Sequence, residues 1–148
     1  MADAATISVT ATMLPDEIAK TISGSMTVTP SDANHKWYYK LTSVSNSSTD
    51  LMAGYFTDYT AIDDDTLPIQ VATSDTVAFL FIQNTDASNL VYLNWNGTAA
   101  AAAGNLYVGA GETWYGRLGV TFVGSLHAIS STSTVNCIVA ALIDDVSV

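Results

Sequence analysis

One cysteine, three prolines and four basic residues are all that this 148-residue chain holds of the types that supply disulfide staples, backbone kinks and phosphate contacts. The lone thiol, Cys137, rules out an intramolecular disulfide, and its place in the apolar run TVNCIVAALI predicts a buried structural thiol. Four basic against fourteen acidic residues give a net charge of −10, and no Lys or Arg occurs between Lys40 and Arg117. Electrostatics therefore argue against direct nucleic-acid binding. Although 49% of residues are hydrophobic and only 12% charged, no stretch approaches the about twenty apolar residues of a membrane-spanning helix. No membrane association is expected. The opening MADAATISVT lacks a basic region ahead of an apolar stretch, so no secretory signal is expected either.

Chemistry-bearing motifs are equally sparse. The only histidines are His35 and His127, and the chain contains no H-E-x-x-H, no C-x-x-C, no G-x-S-x-G and no Gly-rich phosphate loop followed by Lys. His127 falls in a strand pattern and His35 in a polar turn, so a structural or solvated role is favoured for each. Asp63, Asp64 and Asp65, with Asp58 nearby, offer hard oxygen ligands for calcium. Pro68 and the missing glycine depart from an EF-hand loop, however, and the cluster is expected to be a solvated turn. Asp86 and Glu112 stand singly in turn contexts and do not form a glycosidase pair. No catalytic residue, metal or cofactor is assigned, and the chain is expected to bind and build rather than catalyse.

What the chain has in abundance is alternation. Ile7, Val9, Ala11 and Met13 interleave with Thr6, Ser8, Thr10 and Thr12; Ile22, Gly24, Met26 and Val28 interleave with Thr21, Ser23, Ser25 and Thr27. A period of two sends alternate side chains to opposite faces of a sheet. Further strands are predicted at WYYKLTSV (37–44), LMAGYFT (51–57), LPIQVA (67–72), TVAFLFIQ (76–83), NLVYLNW (89–95), TWYGRL (113–118), SLHAIS (125–130) and TVNCIVAALI (134–143). Turn-forming clusters such as SNSSTD, DDDT, NTDASN and GAGE separate them. The expected fold class is all-β: a single-domain antiparallel β-sandwich, jelly-roll-like, spanning 1–148. At most one short helix is expected, over MLPDEIAK, and residues 1–12 form either a first strand or an N-terminal arm.

Two strands are apolar on both parities. In TVAFLFIQ, Val77, Phe79 and Phe81 oppose Ala78, Leu80 and Ile82; in the last strand, Cys137, Val139, Ala141 and Ile143 oppose Ile138, Ala140 and Leu142. A two-layer sandwich buries one face of each sheet, so the second face requires loop cover or another subunit. Self-association is favoured, with Leu80 and Ile82 taken as outward-facing. The aromatic pairs within 37–39 and 114–115, together with Trp95, add rings on both parities. The candidate interface residues are thus Ile7, Val9, Leu80, Ile82, Trp95, Trp114 and Tyr115.

The order FIQNTDASNLVYLNWNG, a small-residue loop, GNLYVGAGETWYGRL and SLHAISSTSTVNCIVAALI resembles the small β-sandwich decoration (cement) and head-fibre proteins of tailed bacteriophages. The resemblance covers roughly residues 76–143 and is one of spacing rather than of catalytic signature. It implies a jelly-roll-like subunit, commonly a homotrimer, assembled in the host cytoplasm. Such a subunit sits on the capsid exterior of the virion and stabilises it by binding major capsid protein subunits. Two other classes fit the residues: a carbohydrate-binding or adhesin module using Trp95 and Trp114, and a surface-layer or pilus subunit that polymerises by itself.

Overall fold

Alternating Thr/Ser and apolar residues near the N-terminus form two nine-residue strands, β1 (Ala5–Met13) and β2 (Lys20–Val28). They pair antiparallel without a break from Ala5↔Val28 to Met13↔Lys20. Because residues directly opposite one another share a face, the ribbon has two distinct sides. Ile7, Val9, Ala11, Ile22 and Met26 lie on one, and Thr6, Ser8, Thr10, Thr12, Thr21, Ser23, Ser25 and Thr27 on the other. The structure is a computed structural model that describes residues 4–13, 20–54, 56, 70–98 and 106–146. The short helix expected over MLPDEIAK lies almost wholly outside the described residues. The chain divides into two compact units, 1–33 and 34–148, and this ribbon belongs to the first.

Among the described residues the second unit has eight strands: β3 (His35–Val44), β4 (Thr49–Asp50), β5 (Thr76–Asn84), β6 (Val91–Asn94), β7 (Leu106–Val108), β8 (Thr113–Arg117), β9 (His127–Ser130) and β10 (Val135–Asp144). They form two four-stranded antiparallel sheets in the orders β3-β10-β5-β8 and β4-β9-β6-β7. Except for β6 and β7, each strand crosses to the sheet opposite its predecessor, which is the winding of an eight-stranded jelly roll. The all-β sandwich expected from the alternation is the observed fold. Among the described residues the only helical turn is a 3-10 turn at Val123–Ser125.

A single apolar core lies between the sheets. The β3-β10-β5-β8 sheet contributes Tyr38, Val44, Val77, Leu80, Ile82, Val135, Cys137, Val139, Ala141 and Ile143; the other contributes Val91, Leu93, Val108 and Ala128. Tyr38, buried at the centre, has its hydroxyl donating to the Ala53 carbonyl (3.0 Å) and accepting from the Ala53 amide (3.2 Å). Burial pushes its phenol above the ordinary value of 10.0, against the hydrogen bonds from Ala53 and Thr42. The side chain of Asn84, also fully buried, donates to the carbonyls of Asn89 (2.8 Å), Gly109 (3.0 Å) and Val108 (3.3 Å), and its Oδ1 accepts from the Asp86 amide (3.0 Å). One amide thereby ties the β5–β6 loop to the β7–β8 turn, satisfying backbone groups that water cannot reach.

The structure departs from the predicted strands at three places. The described residues of LMAGYFT, 51–54 and 56, form no strand: the strand is the two-residue β4 just before them, while Leu51 and Met52 bend into the core together with Phe56. Thr42 Oγ1 and Lys40 Nζ hold this bend by donating to the carbonyls of Leu51 (3.2 Å) and Ala53 (3.1 Å). Within LPIQVA, residues 70–72 are described and contain no more than an isolated bridge at Gln70. Conversely, β7 lies between 95 and 113, where no strand was predicted. In each case burial and cross-strand pairing, not local composition, decide whether an apolar segment becomes a strand.

Candidate interaction surface

The outer face of the β3-β10-β5-β8 sheet is where the doubly apolar strands lead. Pairing aligns three rows across the four strands: Trp37, Leu142, Phe79 and Arg117; then Tyr39, Ala140, Phe81 and Tyr115; then Leu41, Ile138, Gln83 and Thr113. Nine of these twelve residues are apolar or aromatic, and Arg117 is the only charged one in a chain with fourteen acids. Phe79 and Leu142 are buried, whereas Tyr39 and Leu41 are each 58% exposed. The surrounding rows turn polar, with Ser43 and Asn136 at one end and His35, Thr76 and Asp144 at the other. An apolar, aromatic centre with a polar rim is the composition of a protein contact surface.

Which parity faces outward is set by a bulge. Leu142 opposes Phe79 but Ile143 opposes Val77, so Ala78 is an extra residue on β5. Beyond it the alternation inverts: Val77 joins Leu80 and Ile82 in the core, and Phe79 and Phe81 face out. Leu80 and Ile82, expected to face outward, are 0% exposed and belong to the core. Residues of the opposite parity on the same strand form the surface. In β10 no such inversion intervenes, and Ile138, Ala140 and Leu142 face out as the alternation implies.

The other candidates separate cleanly. Tyr115 lies on the outer face beside Phe81. Trp114 and Trp95 pack against the core from its margin, their ring centroids 6.2 Å apart and their planes at 38°. They therefore do not form an exposed platform. Gly116 makes this possible, since a Cβ there would come within 3.1 Å of the Trp114 indole. Ile7 and Val9 lie on the apolar side of the ribbon, Val9 at 36% exposure. Asp58 and Asp63–Asp65 lie outside the described residues. Sequence reasoning passed over Leu41, Phe81 and Ile138 as interface residues; strand parity was their only signal, and the bulge hides it in β5.

Two clusters of polar side chains hold the second unit together. His127 Nδ1 contacts both Ser48 Oγ (3.1 Å) and Asp50 Oδ1 (3.3 Å), while Nε2 meets the Gly124 carbonyl (3.3 Å). These are the residue types of a catalytic triad, but Ser and Asp share one ring nitrogen, whereas relay of a proton requires them on opposite nitrogens. The group clamps β4 to β9. At one end of the sandwich the buried Lys36 ammonium lies 2.6 Å from Asp145 Oδ2 and 5.6 Å from the centre of the Phe56 ring. Asp75, fully buried nearby, accepts from the amides of Ala72 (2.7 Å) and Val146 (3.3 Å). Burial raises its carboxyl above the ordinary 3.8. The two amide donors oppose that shift, the Asp145 carboxylate adds to it, and Lys36 opposes it.

Cys137 is fully buried, as its apolar run implied, and burial pushes its thiol up to about 11. The thiolate is the reactive form. A maleimide or disulfide reagent at pH 8 is therefore expected to leave the native chain unmodified over hours and to label it stoichiometrically in denaturant, as intact-mass spectrometry would record. Rapid native labelling would place Cys137 on an opening path.

No known family, curated protein or solved structure matches the chain.

Proposed function

We propose that this chain is a non-catalytic structural protein that assembles into homo-oligomers and decorates the outside of a tailed-phage capsid. In this role it binds major capsid protein subunits through sandwich surfaces. The observation that carries the proposal is the acid-free aromatic face of the β3-β10-β5-β8 sheet. It has a polar rim, and none of the chain's fourteen acids falls in its three rows. A chain at −10 repels its own copies except where acids are missing. The same fold class recurs in viral capsid proteins and lectins, and the cadence of residues 76–143 favours the former. The half-buried Trp95–Trp114 pair offers no open sugar platform, which weighs against the carbohydrate-binding alternative.

The test is co-sedimentation of the purified chain with empty capsids of the phage that carries it. Saturable binding at a fixed number of copies per capsid, together with raised thermal stability of the capsid, is expected. A monomer that ignores the capsid but binds glycans on an array would overturn the proposal.

A further inference from the structure

The β1–β2 ribbon poses its own physical problem. A two-stranded antiparallel sheet is marginal in water unless one face is covered. Here one face is a ladder of eight Ser and Thr hydroxyls, suited to solvent, and the other is apolar. On that apolar side Val9 is 36% and Ile22 51% exposed. The described ribbon contains no acid, and its only charged residue is Lys20. That side carries Lys20 at one end and is apolar over the rest of its described length, and such a one-sided, acid-free surface calls for an apolar, acid-free platform.

Among the described residues, the acid-free outer face of the β3-β10-β5-β8 sheet is such a platform, open around Tyr39 and Leu41. We propose that the ribbon is an exchange arm, laying its apolar side across that face of a second copy of this chain. The inference rests on the proposed reading of the sheet face as a contact surface and supplies the occupant. Area also argues for exchange. Nine residue pairs extend about 30 Å, and two strands are about 10 Å wide. One arm thus covers about 300 Å² and buries about 600 Å² in total, half or less of what a stable interface needs. A chain that both gives and receives an arm doubles its contact, so the assembly is a closed symmetric oligomer in which every arm is used.

Size-exclusion chromatography with light scattering on the full chain tests this. The unmodified protein should run at a whole multiple of 15.6 kDa, with two or more copies. Val9→Asp with Ile22→Asp places charges on the apolar side of the arm and should yield monomers that keep the β-sheet dichroism of the sandwich. Thr10→Asp with Ser23→Asp, on the hydroxyl side, should leave the oligomer intact. Cross-linking of Val9→Cys with Leu41→Cys in a mixture of heavy- and light-isotope chains should give mixed heavy–light products. Exclusively same-isotope products would mean that the arm packs on its own copy, and the proposal fails. If the arm variant stays oligomeric while Tyr39→Asp with Leu41→Asp dissociates, the arm is refuted and the sheet face stands as an interface. Should neither dissociate, or should the wild type be monomeric, both ideas fall.

Discussion

Replacing Lys36 with methionine is expected to destabilise the sandwich by about 3–5 kcal/mol, the range seen when one partner of a buried ion pair is removed. The lysine side chain is 8% exposed and that of Asp145 0%. Without the ammonium, Asp145 and the nearby Asp75 remain as buried acids that have lost the charge of Lys36. The loss has a pH signature. Asp75 titrates above its ordinary 3.8, so the folded state keeps a proton that the unfolded chain has already released. That contribution is complete below pH 3.8 and disappears as pH rises through the raised folded value. Lys36 opposes the upward shift of Asp75, so in the variant Asp75 holds its proton more readily, and lowering the pH should shrink the deficit relative to wild type. Urea unfolding of both proteins at pH 7 and pH 4.5 measures this. A deficit that is equal at both pH values would mean that methionine acts through packing alone. Because the pair spans β3 and the end of β10, whereas Asp75 hydrogen-bonds Val146, its loss should free the C-terminal end of the sheet first.

Leu80→Asp should abolish folding outright, whereas Tyr39→Asp with Leu41→Asp should leave a folded protein that no longer self-associates. Leu80 is fully buried between the sheets. Truncating such a leucine alone costs about 2–5 kcal/mol, and an unpaired carboxylate adds several more. Together these are comparable to the whole stability of an ordinary domain, about 5–15 kcal/mol. Tyr39 and Leu41 are each 58% exposed on the edge strand β3. Charges there meet water in the isolated subunit, and their effect on folding should stay below about 1 kcal/mol. Circular dichroism with light scattering separates the outcomes. A folded Leu80→Asp monomer would mean that Leu80 faces outward and that the bulge at Ala78 is misplaced.

Much of this architecture was legible in composition and alternation. Serine, threonine and apolar residues in strict period two leave β1 and β2 no helical solution, and WYYKLTSV, TVAFLFIQ and TVNCIVAALI became β3, β5 and β10 nearly to the residue. Two apolar parities in β5 and β10 already called for two dry faces. The burial of Cys137 also followed from its neighbours, since a small soft side chain amid Val, Ile and Ala has no reason to be wet.

The sequence could not say which face was which. Parity depends on the extra residue at Ala78, and a bulge is fixed by pairing with β10, a strand more than fifty residues away. One inserted residue moves every later side chain to the opposite face, which is why Leu80 and Ile82 entered the core and Phe81 left it. Leu51 and Met52 look like strand residues but form a bend, because hydrogen bonds from β3 side chains hold their carbonyl and that of Ala53. The buried Lys36–Asp145 pair joins residues 109 positions apart and leaves no local pattern. Local preference settles element type through backbone and side-chain sterics. Facing, register and charge pairing are long-range quantities, decided only when distant strands meet and exclude water.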